Sequence, residues 1–283
     1  MKKFCLITGA SRGLGAFLAK RFWSNGFSLH LVSSSLVNLL ETKYDLPRKD
    51  DQECFLHICD LSNKISVQEL SNNLAKTIGN LSVLVNNAAI QGPIGPLEMN
   101  DLVDWLNVIQ VNLFAPVVLC KELIPLIKAA GGGSIINMSG GGATGPRANF
   151  SSYATAKAGL VRFSETIAEE LKPSGVRVNC IAPGAMKTDM LAEVLRNGDI
   201  AGDRERALAT KVFEEGGASM DRVADLALFL ASDASKGITG KLISAVWDDW
   251  EHWPEHVTEL TSSDAYTLRR ITGRDRGFDW GDK

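Results

Sequence analysis

The chain of 283 residues is poor in the side chains that build metal and redox centres, with five cysteines and four histidines that do not gather. Cys5, Cys54, Cys59, Cys120 and Cys180 are odd in number, fall in apolar runs and show no metal-ligand spacing. That pattern argues against a disulfide framework and against a bound metal, and reads as buried free thiols in a reducing compartment. Excess charge is missing too. A formal charge of −3 gives no reason to expect a nucleic acid or an anionic membrane as partner. The first apolar run, in "FCLITG", is broken at once by Thr and Gly, too short for a signal-peptide core, and no later stretch approaches an uninterrupted membrane span. A cytoplasmic protein is expected. Internal repeats and low-complexity linkers are also absent.

What the chain does have is alternation. Near-continuously apolar runs at 4–9, 28–34, 54–60, 82–88, 133–139, 176–183 and 241–247 read as strands covered on both faces. Helical patterns at 13–25, 66–78, 101–128, 152–172 and 221–232 fall between them. Such alternation predicts an α/β fold, a doubly wound parallel sheet with helices on both sides. The apolar fraction of 45% is enough for one sizeable core. Residues 1–246 are expected to form a single domain and 247–283 a C-terminal extension, because the composition turns polar, charged and Trp-rich after Trp247.

Two short stretches carry chemistry. The first strand runs into "TGASRGLG", Thr8 to Gly15, and then into a helix. Gly9 suits a tight turn, Gly13 a close approach of backbone to a pyrophosphate, and Gly15 tight packing of helix on sheet, with free N–H groups and the helix dipole favouring a diphosphate. The second stretch is "YATAK", which places Tyr153 and Lys157 one helical turn apart. A phenol of ordinary pKa about 10 is a poor base near neutrality, and a neighbouring ammonium favours its ionised form.

The spacing G-x-x-x-G-x-G, "NNAA" at 86–89, "YATAK" and "PGAMKT" at 183–188 occur in one order along the chain. Together they resemble the classical short-chain dehydrogenases/reductases over about residues 3–246. The resemblance implies a Rossmann-type sheet and a nicotinamide dinucleotide. Thr8, Gly9, Ser11, Arg12, Gly13, Leu14 and Gly15 would form the diphosphate loop, with Asp60 and Leu61 beside the adenine. Asn87 and Ala88 would line the adenosine side, Pro183 and Gly184 the nicotinamide, and Thr188 its carboxamide. It further implies that Tyr153 is the acid/base at a carbonyl or alcohol oxygen. Lys157 would tune that phenol and hold a ribose, and Asn112 would help to place Lys157 and a relay water. An acid at the end of the second strand would bond a ribose 2′-hydroxyl, but the chain has Ser33, Ser34 and Ser35 there, while Arg12 offers a positive fork to a phosphate. NADP(H) is therefore favoured over NAD(H).

One landmark is displaced. The family's serine position, counted back from Tyr153, falls on Gly140, and Ser139 stands one residue earlier. Either the glycine-rich loop brings the Ser139 hydroxyl into place, or a water, the backbone or the substrate orients the reacting oxygen; Thr144 and Ser151 are further candidates. Residues 185–220 read as a mobile segment covering the substrate. In the tail, Trp247, Trp250 and Trp253 recur beside acids, suiting a subunit interface or a sugar-stacking site. The expected function is an NADP(H)-dependent oxidoreductase acting on a small polar carbonyl or alcohol substrate, as a homodimer or homotetramer by family analogy. A non-catalytic dinucleotide-binding sensor or scaffold is the alternative.

Overall fold

The computed structural model describes residues 2–280. Its sheet has seven strands: β1 Lys3–Thr8, β2 Phe27–Ser33, β3 Cys54–Ile58, β4 Val83–Asn86, β5 Gly133–Met138, β6 Val176–Ala182 and β7 Leu242–Ser244. All pairings are parallel and the order is β3-β2-β1-β4-β5-β6-β7. The expected fold, a doubly wound Rossmann-type sheet, is the one observed. The winding reverses between β1 and β4, so their carboxyl ends open a crevice where a ligand is held in such sheets.

Helices α1 Gly13–Ser24, α2 Leu36–Tyr44, α3 Lys64–Thr77, α4 Leu102–Ile109, α5 Ala115–Ala129, α6 Ser151–Leu171, α7 Asp189–Arg196, α8 Asp203–Glu215 and α9 Met220–Ala231 surround the sheet. Parallel strands alternate their side chains between two buried faces. Cys5, Ile7, Leu29 and Leu31 point to one core with Leu18 and Phe22 of α1 and Val223 and Leu230 of α9. Leu6, Val32 and Leu84 point to the other, with Leu74 of α3, Leu119 and Leu123 of α5 and Ile167 of α6.

The single helix expected over 101–128 is two α-helices joined by a π turn, Gln110–Phe114. Pro116 has no N–H to give the carbonyl four residues back, that of Asn112, so regular α pairing lapses there. The combined helix Leu102–Ala129 is long and apolar enough by composition to cross a membrane, which the sequence reading did not anticipate. Here its inner side, including Val111, Leu119, Leu123 and Ile127, belongs to the core. Segment 185–220 is also more ordered than expected: Val194 of α7 and Ala209 of α8 are buried in a cluster with Phe150 and Tyr153.

The tail continues as a 3₁₀ helix, Trp250–His256, and α10 Val257–Ser262. Trp250 and Trp253 are only 3% and 5% exposed, inside this chain's own core, and Tyr266 packs on Trp253 with ring centroids 4.3 Å apart. These two tryptophans are therefore core residues, neither a subunit interface nor a sugar platform, while Trp247 is 86% exposed. The tail then passes the free edge of β7, where Leu242 N–H donates to Tyr266 O at 2.8 Å and Lys241 Nζ to Ala265 O at 2.8 Å.

On β2 and β3, His30 Nδ1 and His57 Nε2 are 2.9 Å apart with stacked rings, and burial pushes the His30 imidazolium down from 6.5 to about 4. The native pair stays neutral while the unfolded chain takes up protons below its ordinary pKa. Stability is therefore complete above about pH 6.5 and falls as pH drops towards 4. Urea unfolding is expected to lose about 2 kcal/mol between pH 7 and pH 5, and His30→Phe to flatten that loss.

Candidate active site

The carboxyl ends of β1 and β4 are stitched together by one side chain. Thr8 Oγ1 accepts hydrogen bonds from the N–H groups of Asn87 and Ala88, each at 3.0 Å, and Asn87 Nδ2 donates to Thr8 O at 2.9 Å. The chain then turns through Gly9 at φ 64°, where a Cβ would lie 2.9 Å from Ala88 Cα, so no larger residue fits. Helix α1 begins at Gly13 with no side-chain cap at Arg12 and no acid in its first turn, leaving its first N–H groups facing the crevice. Beside it, Ser33 Oγ donates to Ser11 Oγ at 2.8 Å, and Arg12 reaches across the mouth to Asp189 of α7 at 3.2 Å.

A cavity of about 1290 Å³ fills this crevice. It is bordered by the glycine turn from Gly9 through Ser11, Arg12, Gly13 and Leu14 to Gly15, by Ser33 and Ser34, by Asp60 and Leu61, and by Asn87 and Ala88. Its far end meets Ser139, Tyr153, Lys157, Pro183 and Thr188. Three predicted residues stand behind the wall. Thr8 is buried as the stitch, Asn112 is wholly buried in the π turn, and Gly184 turns away, where a Cβ would lie 2.9 Å from Ala218 Cβ. Gln91, Met190 and Glu193 also line the cavity. Met190 and Glu193 lie in the segment 185–220 expected to cover the substrate, whereas Gln91, just past a strand end, carried no sequence signal.

At the chemical end, α6 delivers Tyr153 and Lys157 from its first two turns. Both are nearly fully buried. Lys157 Nζ donates to Met138 O at 2.7 Å and lies 5.6 Å from the centroid of the Tyr153 ring. Burial lowers the lysine from 10.5 to about 8, with Cys180 opposing, and raises the Tyr153 phenol, with the Arg147 cation opposing. Asn112 engages Ile90 rather than Lys157: its Oδ1 accepts from Ile90 N–H at 2.9 Å and its Nδ2 donates to Ile90 O at 2.8 Å. It thus pins the segment after β4.

Gly140 lies directly against the phenol. A Cβ there would stand 2.4 Å from the Tyr153 oxygen, so the tyrosine hydroxyl occupies space that any side chain at 140 would need. Ser139 extends the β5 ladder, its N–H donating to Ile181 O at 2.8 Å, and its hydroxyl is buried with no hydrogen-bond partner. A buried hydroxyl without a protein partner, at the wall of a cavity, is poised to bond whatever enters. Neither Thr144 nor Ser151 borders the cavity, and the Ser151 hydroxyl instead accepts from Trp105 Nε1 at 3.0 Å. The arrangement is equipped to hold a diphosphate at one end and to exchange a proton with an oxygen atom at the other.

Asn112→Ala would strand both backbone groups of Ile90 in the interior. It is expected to lower stability by about 2–4 kcal/mol in urea unfolding, and Asn112→Asp, which buries a carboxylate against Ile90 O, to lower it at least as much.

Comparison with known proteins gives a concordant picture. The family model for short chain dehydrogenases matches residues 3–198. The 3-oxoacyl-[acyl-carrier-protein] reductase of Chlamydia muridarum is 31% identical over 248 residues, covering 86% of this chain and 96% of that protein. Trans-4-hydroxycyclohexanecarboxylate dehydrogenase of Sinomonas cyclohexanicum is 33% identical over 247 residues, covering 84% and 89%. Among solved structures, YwfH, an NADPH-dependent reductase of bacilysin biosynthesis, superposes with a TM-score of 0.77 at 27% identity, covering 87% of this chain and 97% of that one. With the family model spanning most of the sheet and relatives aligned along nearly their whole length, the chain belongs to the short-chain dehydrogenase/reductase family.

Proposed function

We propose that the chain is an NADP(H)-dependent oxidoreductase that interconverts a carbonyl and a secondary alcohol on a small polar substrate. The observation that carries this reading is the convergence of Tyr153, Lys157 and the unpartnered Ser139 hydroxyl on the cavity that the phosphate-binding turn opens. The cavity fits a dinucleotide by its own features: an uncapped helix start, a Gly9 that leaves no room for a side chain, and Gly13 at φ 53° with open space where a Cβ would be. When bound, the nicotinamide ring supplies or accepts the hydride.

The protein's part is to place an oxygen atom and manage its proton. Tyr153 gives a proton to the carbonyl oxygen in reduction and takes one from the hydroxyl in oxidation. Lys157, charged below about pH 8, favours the phenolate and offers its remaining N–H groups to a ribose. Ser139 donates its free hydroxyl to the reacting oxygen, the role expected of a serine one residue later. Asn112 acts on this centre through Ile90, and Thr8 through Asn87 and Ala88. Gly184 contributes through backbone shape.

The NADP preference rests on Arg12, whose guanidinium stands exposed at the mouth beside Ser33 and Ser34 with no acid at the end of β2. The similarity to an NADPH-dependent reductase supports it. A second subunit, in a homodimer or homotetramer, suits the exposed Leu102, Val103, Leu106 and Phe114 on α4 and the π turn. Five free cysteines suit a cytoplasmic setting. A non-catalytic sensor is not favoured, because the proton-transfer pair stands intact on the cavity wall.

Tyr153→Phe is expected to lower kcat/KM for the active carbonyl, followed by NADPH absorbance across a substrate panel, by about a hundred- to ten-thousand-fold while NADPH still binds. Turnover that survives this change would remove Tyr153 as the acid. Gly140→Ala should cost about tenfold to a hundredfold by displacing the phenol oxygen. Arg12→Ser should raise KM for NADPH about tenfold and leave NADH unaffected.

A further inference from the structure

The loop 140–150 between β5 and α6 holds a charged group that the chemistry above does not use. Arg147 is 13% exposed in its side chain; its Nε donates to Glu205 Oε2 of α8 at 2.8 Å, and its Nη2 lies 2.7 Å from the same oxygen in an ion pair. Its guanidinium carbon lies 3.7 Å from the centroid of the buried Phe150 ring and 5.6 Å from that of Tyr153. The Gln91 amide, oriented so that both ends find partners, donates to Met190 O of α7 at 2.7 Å and accepts from Arg147 Nη2 at 3.1 Å. One side chain thus joins the glycine loop, the segment after β4 and both helices over the cavity.

We propose that Arg147 is a positioning residue of the active site, a second cation held beside the Tyr153 phenol by Glu205 and Gln91. Three observations lead there. A guanidinium so deeply placed costs desolvation, which its ion pair and amide partner offset. Its guanidinium carbon comes within 5.6 Å of the Tyr153 ring centroid while Glu205 of α8 holds it. And Gly140 supplies no hydroxyl to the tyrosine, so the loop keeps its influence on the phenol through charge instead. Gly142 lets the loop pass close to α6, since a Cβ there would lie 2.7 Å from Ala154 Cβ and 3.3 Å from Arg147 Cβ.

The other ionisable groups around the phenol are accounted for. Lys157 faces it from the next turn of α6, with Cys180 of β6 influencing that lysine. Arg12, Asp60, Asp104, Lys187, Asp189, Glu193 and Arg196 border the same cavity. The Arg147 cation opposes the rise that burial imposes on the phenol, alongside the Lys157 ammonium one helical turn away.

The inference rests on the reductase reading, and its test is independent of turnover. The chain has three tyrosines, Tyr44, Tyr153 and Tyr266, so near-ultraviolet phenolate absorbance, taken as the difference from Tyr153→Phe, reports Tyr153 alone. In the full-length protein, Arg147→Met is expected to move that titration up by about one pH unit. Arg147→Lys, which keeps the charge, should stay near wild type. Far-ultraviolet circular dichroism confirms the fold at each pH, and Arg147→Gln replaces the methionine variant should the latter unfold. Identical titrations in wild type and the neutral variants overturn the proposal, as does an equal shift in the lysine variant, which would mean packing rather than charge. Absence of turnover on every carbonyl would count against the reductase reading and leave the titration result intact.

Discussion

An ammonium buried in the protein interior, that of Lys157, constrains more of this structure than any other single group. Taking it out of water costs several kcal/mol, and the chain returns one hydrogen bond, to the carbonyl of Met138. Burial accordingly weakens its hold on the proton to about pH 8. The position is set from three sides: α6 fixes the backbone, β5 presents the carbonyl, and β6 closes the back with Cys180. An apolar residue would pack more favourably there. Retaining a lysine at such a cost makes sense where its charge faces a cavity and a phenol one helical turn away.

The same economy of groups appears across the cavity. Thr8 satisfies two N–H groups at the end of β4 with a single hydroxyl, and Asn112 satisfies both backbone groups of Ile90 with a single amide. Each ties the crevice to an element that does not line it. The glycine loop does the reverse. It withdraws side chains so that the Tyr153 oxygen and Ala154 of α6 have room, and leaves Ser139 with a hydroxyl awaiting a partner. At the wall the Ser139 hydroxyl is left without a protein partner, while Thr8 and Asn112 just behind it are fully bonded.

The tail strengthens the opposite side of the sheet. Trp250 and Trp253 extend the core formed by α1 and α9, and the chain then runs along β7, whose outer edge would otherwise present unpaired backbone groups. It ends this contact at Leu268, whose N–H donates to Glu165 of α6 at 2.6 Å and whose side chain packs with Ala143 of the glycine loop. The extension therefore supports α6, which carries Tyr153 and Lys157, and the glycine loop from behind.

Local periodicity and short motifs were enough to read the alternating strands and helices, the phosphate-binding turn and the Tyr153–Lys157 pair, because each depends on residues adjacent in sequence or one helical turn apart. The break at the π turn escaped the apolar pattern, since it depends on a missing N–H at Pro116 and on the bonds of Asn112 to a distant loop. The tryptophans of the tail were misread for a related reason: spacing of three shows neither which side of a 3₁₀ helix meets the core nor that a core lies within reach. Arg147, Glu205 and Gln91 come from three separate segments and had no motif to announce them. Sequence by itself determined the parallel sheet, the glycine turn at the end of β1 and the spacing that sets Tyr153 and Lys157 on one helix face. Only the tertiary structure decided what surrounds Tyr153, because the charge and burial acting on a phenol are set by groups that meet it through space.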